Sequence, residues 1–151
     1  MKQEDKDLLL KDLCARLPYG VKAYVKNWSK LDRKWYEDTY TIDTVCPSLN
    51  DIMVASERCF VEVILGHDDY EIKPYLFPIS TMTEEQCLEI EILTNGTIGV
   101  DKDSLWDLTG YSELDISTTL ELIQWLYENH FDIYGLIPKG LAIDATGLNI
   151  Y

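Results

Sequence analysis

Residues 71–86 divide this chain more sharply than any other stretch. The segment opens like the end of a strand, is stiffened by Pro74 and Pro78, and runs straight into a helix start. Thr83 and Gln86 have the spacing of a capping box, and Met82 and Cys87 that of a hydrophobic staple. Glu84 and Glu85 suit the positive end of the helix dipole. Strand-like patterns dominate before this point and helix-like patterns after it. The expectation is one α+β domain over 1–151, with 1–80 mainly β behind a leading helix and 81–151 mainly α. The signal is architectural and carries no chemistry.

From the N-terminus, Leu8, Leu9, Leu13 and Leu17 recur at helical spacing over 4–17, with Lys11, Asp12 and Arg16 between them as the polar face. Pro18 and Gly20 end that helix, which is expected to cover one opening or face of the sheet. Residues 21–26 alternate, with Val21, Ala23 and Val25 inward and Lys22, Tyr24 and Lys26 outward. Residues 27–35 read as a polar, basic loop containing Trp28. Further strands are expected at 37–45, 51–55, 59–65 and 72–77, with a turn at Ser56 and Glu57. Short strands with tight connections predict a small bent antiparallel sheet, in an SH3-like or similar partial barrel. A C-terminal helical layer follows. The first of its helices, at 83–94, ends at Asn95-Gly96, a glycosylation sequon that reads as a turn. Residues 97–113 have Trp106 as their one anchor. The best helix is 117–130, whose core stripe of Leu120, Ile123, Leu126 and Tyr127 is widened by Leu122 and Trp125. A short helical turn is expected at 133–139, and the apolar tail should pack back onto the body.

Apolar residues make up 46% of the chain, which excludes a disordered protein. No apolar run is long enough to span a bilayer. The charged N-terminus does not read as a signal peptide, so a cytoplasmic setting without membrane contact is the expectation. Cys14, Cys46, Cys59 and Cys87 are irregularly spaced and read as small buried hydrophobes rather than disulfides or zinc ligands. Residues 1–35 carry nine Lys/Arg against five Asp/Glu, and 36–151 carry four against twenty-two. The balances of +4 and −18 sum to the net −14. An acidic body of this kind repels phosphate backbones and anionic membranes and favours basic protein partners.

Little in the sequence points to catalysis. His67-Asp68-Asp69, with Glu62 nearby, is where metal-type ligands cluster, but adjacent turn residues cannot all aim at one ion. Asp101-Lys102-Asp103 begins like a calcium loop, but Leu105 sits where the third oxygen ligand should be. There is no phosphate-cradling glycine loop and no nucleophile in a recognisable setting. Neither a cofactor nor a metal is called for, and the chain reads as non-enzymatic. The residues of most interest are Lys22, Lys26, Lys30, Arg33 and Lys34, interleaved with Tyr24, Trp28, Trp35 and Tyr36. Cations for phosphates beside aromatics for bases suit a nucleic-acid or nucleotide face, while outward lysines also guard strand edges.

Three blocks, 8–21, 72–85 and 125–142, together resemble a family of small uncharacterised proteins encoded by Bacteroides-type gut bacteria and their prophages. Phe77 stands where such sequences carry Arg, and Asn129 where they carry a second His. The resemblance implies a cytoplasmic setting and a mobile-element origin, and brings no activity. Two functional expectations follow: an accessory protein whose acidic surface binds a protein partner, or a nucleic-acid module using residues 22–36.

Overall fold

A computed structural model describes residues 1–49, 51–55, 60–96 and 115–151. The architecture is α+β: among the described residues, an N-terminal helix, a six-stranded sheet and two later helices. Helix α1 (Gln3–Arg16) has Glu4 and Asp5 in its first turn and Arg16 in its last, both favourable to its dipole. A tight turn follows, closed by Gly20 at φ 65°, where a side chain would be strained. Leu9, Leu10 and Leu13 are buried against the sheet. Asp12 and Arg16, expected to be solvated, are also fully buried. Positions 9, 12, 13 and 16 share one helical face, and the acid and base lie one turn apart, so they neutralise each other inside.

Strands β1 (Lys22–Ser29) and β2 (Lys34–Cys46) form a long hairpin. The loop expected at 27–35 is therefore only a four-residue turn. Trp28 pairs across from Trp35, edge to face at 5.5 Å, which draws both strands past their predicted ends. In the turn, the Asp32 carboxylate accepts from Ser29 Oγ and from the Tyr36 hydroxyl at 2.7 Å, and Arg33 takes φ 53°. A bulge between Ile42 and Thr44 interrupts the pairing of β2 with β3 (Asp51–Ala55), which in turn pairs with β4 (Phe60–Ile64). Strand β5 (Tyr70–Leu76) returns antiparallel beside β1. The order is β4-β3-β2-β1-β5-β6, and β6 (Ile143–Asp144) runs parallel to β5. The sheet is thus mixed, because the C-terminal tail adds a strand that the antiparallel expectation did not include.

Two cores result. One fills the space between α1 and the sheet, with Val21, Ala23, Val25, Ile42, Ile52 and Val54 at its centre. The other joins Ile79, Met82 and Ile90 to Leu122, Leu126 and Phe131. Helix α2 (Glu84–Leu93) starts with the complete capping box, Gln86 N–H to Thr83 Oγ1 and Thr83 N–H to Gln86 Oε1. Helix α3 (Ile116–Glu128) is capped by the Asp115 carboxylate. It buries Leu122, Leu126 and Tyr127, but Leu120 is 61% exposed, because docking through Leu122 turns a residue two positions earlier outward. No helix forms at 133–139. Instead the Asp132 carboxylate accepts the Leu136 and Ile137 N–H groups, both at 2.8 Å, and closes a turn. Cys14, Cys46 and Cys87 are free and half-buried. Residues 56–59 and 97–114, including the predicted turn at Ser56, Cys59, the 97–113 segment and Asp101–Asp103, lie outside the described residues.

Candidate functional site

Strand alternation divides the basic–aromatic patch. Lys22, Tyr24, Lys26 and Trp28 share the outer face of β1, where Trp35 and Glu37 of β2 and Lys73 and Glu71 of β5 are their cross-strand neighbours. Lys34 and Tyr36 fall on the opposite face, and Lys30 and Arg33 lie in the turn. Most of these groups have partners within the fold. Lys26 Nζ lies 5.3 Å from the Trp35 ring centroid and Lys34 Nζ 4.5 Å from that of Tyr36. Lys30 approaches Asp69 at 3.6 Å, and the Lys22 ammonium donates to the Ile150 carbonyl. The Tyr24 hydroxyl donates to Glu37 at 2.6 Å, which with Glu71 nearby pushes its phenol up to about 12. A cleft of about 380 Å³ beside this face is reached by Lys26, Trp35, His67 and Lys73. Its His67-Asp68-Asp69 turn is self-bonded, with the Asp69 N–H donating to His67 Nδ1 and the Trp28 N–H to the Asp69 carbonyl. Among the described residues, no group of three or more His, Cys, Asp or Glu is placed to hold a metal ion.

A second site lies where the two cores meet. Arg16 donates from Nε and Nη2 to the Asp12 carboxylate at 2.7 and 3.0 Å, and from Nη2 to the Phe131 carbonyl at 2.6 Å. Burial pushes the Asp12 carboxyl above its ordinary range, against the pull of Arg16. This clamp fixes the chain where Phe77 pairs with 130–132, through Phe77 N–H to the His130 carbonyl and Asp132 N–H to the Phe77 carbonyl.

His130 is 8% exposed, sits at φ 58°, and has no partner for its buried Nδ1. Its ring stacks on Tyr151 at 3.8 Å. Burial, with Arg16 and Lys22 nearby, lowers its pKa to about 4, so the imidazole is neutral at pH 7. The Tyr151 hydroxyl is inserted between β1 and β5, accepting from the Lys22 N–H at 3.0 Å and donating to the Tyr75 carbonyl at 2.9 Å. These rings help line a cleft of about 450 Å³ with Phe77, Glu128 and Asn129.

Strained backbone, an unpartnered buried nitrogen and a displaced pKa coincide at His130, which is the pattern of a functional position. Sequence reasoning weighs His130 only as a second imidazole that could join His67 and sets it aside, since nothing in the sequence brings the two together. The spacing of Asp12 and Arg16 was the one readable signal nearby. Comparison with family models, curated proteins and solved structures finds no significant match to this chain.

The helical layer has its own character. Helix α2 carries Glu84, Glu85, Glu89 and Glu91, helix α3 carries Glu121 and Glu128, and neither contains Lys or Arg. Each also exposes an apolar pair one turn apart, Leu88 and Ile92 at 55% and 68%, and Ile116 and Leu120 at 80% and 61%. Among the described residues, no helix is long and apolar enough to cross a membrane.

Proposed function

We propose that this protein is a non-enzymatic interaction module whose acidic helical layer receives a basic, amphipathic segment of a protein partner. The observation that carries the reading is the pairing of six glutamates and no cation on α2 and α3 with exposed apolar pairs on the same helices. Apolar contacts would supply affinity, and the negative charge of the two helices would select basic sequences and speed encounter. The test uses an arginine-free Lys/Leu peptide of about five helical turns, titrated by calorimetry, with the same composition in scrambled order as control. Micromolar binding that weakens steeply with salt is the expected result. Replacing Leu88 and Ile92 with Ser should weaken it more than about tenfold, because both side chains are exposed and their loss spares the core. Equal binding of the scrambled peptide, or an unaffected double variant, would overturn the reading.

The second reading, a nucleic-acid face on β1 and β2, is favoured by the cleft that Lys26, Trp35 and Lys73 reach. The internal partners of Lys22, Lys26, Lys30 and Lys34 weigh against it. Retention of single-stranded DNA that Lys26→Glu with Lys30→Glu abolishes would move the assignment there.

A further inference from the structure

The cleft at the end of the helical layer has a chemistry of its own. It is formed where the first turn of α2 meets the last turn of α3, so it continues the acidic surface just described. Phe77, His130 and Tyr151 line it together with Glu128 and Asn129. The Asn129 amide nitrogen is already used on the Trp125 carbonyl at 3.0 Å, which leaves its oxygen to accept. Among the described residues, the Glu128 carboxylate has no cation partner, and no Lys or Arg lines the cleft. Lys22 lies over the Tyr151 ring but is held by the Ile150 carbonyl. The C-terminal end of α3, with its negative dipole, faces the same space. The N-terminal end of α2 is offset by Glu84, Glu85 and the closed capping box.

Acceptors beside aromatic faces are what a planar guanidinium requires: rings to stack on and a carboxylate to grip two N–H groups. We infer that this cleft receives the guanidinium of an arginine on the basic partner, stacked on the Phe77–His130–Tyr151 wall and paired with Glu128. His130 contributes an uncharged ring fixed by its stack on Tyr151, so it adds no positive charge of its own beside Lys22 and Arg16. The inference rests on the reading of the protein as a receiver of basic segments, and names the side chain that would anchor one.

The probe is acetyl-arginine amide, compared with acetyl-lysine amide and the uncharged isostere acetyl-citrulline amide. Binding is followed by NMR on the imidazole protons, which is tractable because the chain has two histidines. Arginine amide should shift the His130 ring protons saturably while leaving those of His67 in place, with lysine amide weaker and citrulline amide inert. Glu128→Gln should weaken the arginine probe at least about fivefold, and Glu121→Gln, elsewhere on α3, should leave it unchanged. Both glutamates are exposed, so neither change threatens folding. An arginine response equalled by citrulline, or one indifferent to Glu128→Gln, would overturn the assignment. So would no response at His130. The Lys/Leu peptide contains no arginine, so its docking on Leu88 and Ile92 can fail or succeed independently of this experiment.

Discussion

His130 should make the protein acid-sensitive in a defined window, and His130→Asn should remove that sensitivity. The imidazole titrates near 6.5 in the unfolded chain and at about 4 in the folded protein, where burial and the Arg16 and Lys22 charges oppose protonation. At pH values between these two, the unfolded chain binds a proton that the folded protein refuses, so stability falls as pH falls. At about 1.4 kcal/mol per pH unit, the difference amounts to about 3 kcal/mol, fully present above pH 6.5 and gone near pH 4. Asparagine is the chosen replacement because it tolerates the left-handed backbone at φ 58° and does not titrate. Losing the ring will lower stability by a constant amount, and every carboxyl group is common to the two proteins. The readout is therefore the difference between the two stability curves, measured by urea unfolding at half-unit intervals from pH 4 to 7. That difference should shrink by about 3 kcal/mol on acidification. A difference that stays flat, or an NMR titration placing His130 near 6.5, would refute the burial argument.

Asp12→Ala should cost about 3–5 kcal/mol, because it strands the fully buried Arg16 guanidinium. Replacing the pair together, Asp12→Leu with Arg16→Met, should recover most of that loss in urea unfolding; a double variant as unstable as the single one would refute the self-neutralised-pair account. Tyr151→Phe should cost about 1–3 kcal/mol, since Lys22 N–H and the Tyr75 carbonyl lose their bridge. Amide exchange at Lys22 should quicken in the same variant, and unchanged protection would argue against the bridge. Thr83→Ala should lower the melting temperature by an amount matching about 1 kcal/mol, by opening the capping box on α2.

Local chemistry made several features legible from the sequence. The capping box at Thr83 and Gln86, the alternation of Val21, Ala23 and Val25, and the stop at Pro18 and Gly20 all depend on neighbours within a few residues. The misread features depended on remote partners. Residues 27–35 looked like a loop because their polarity hides a cross-strand tryptophan pair. Asp12 and Arg16 looked solvated because a count of apolar residues cannot see an acid and a base cancelling each other inside. Leu120 looked like core until the docking of α3 through Leu122 turned it outward. The basic patch read as one surface, but strand alternation sends Lys34 and Tyr36 to the other face.

What the sequence determined by itself is the α+β class, the position of most elements and the concentration of negative charge beyond residue 35, since these follow from short-range patterns and from composition. What only the tertiary structure decided is the junction of the two cores, where Arg16 of α1 grips the Phe131 carbonyl, His130 stacks on Tyr151, and Tyr151 bridges β1 and β5. Those partners lie 115 residues apart in one case and 129 in another. Contacts over such separations are selected by how the layers pack, and short-range sequence patterns do not record that choice.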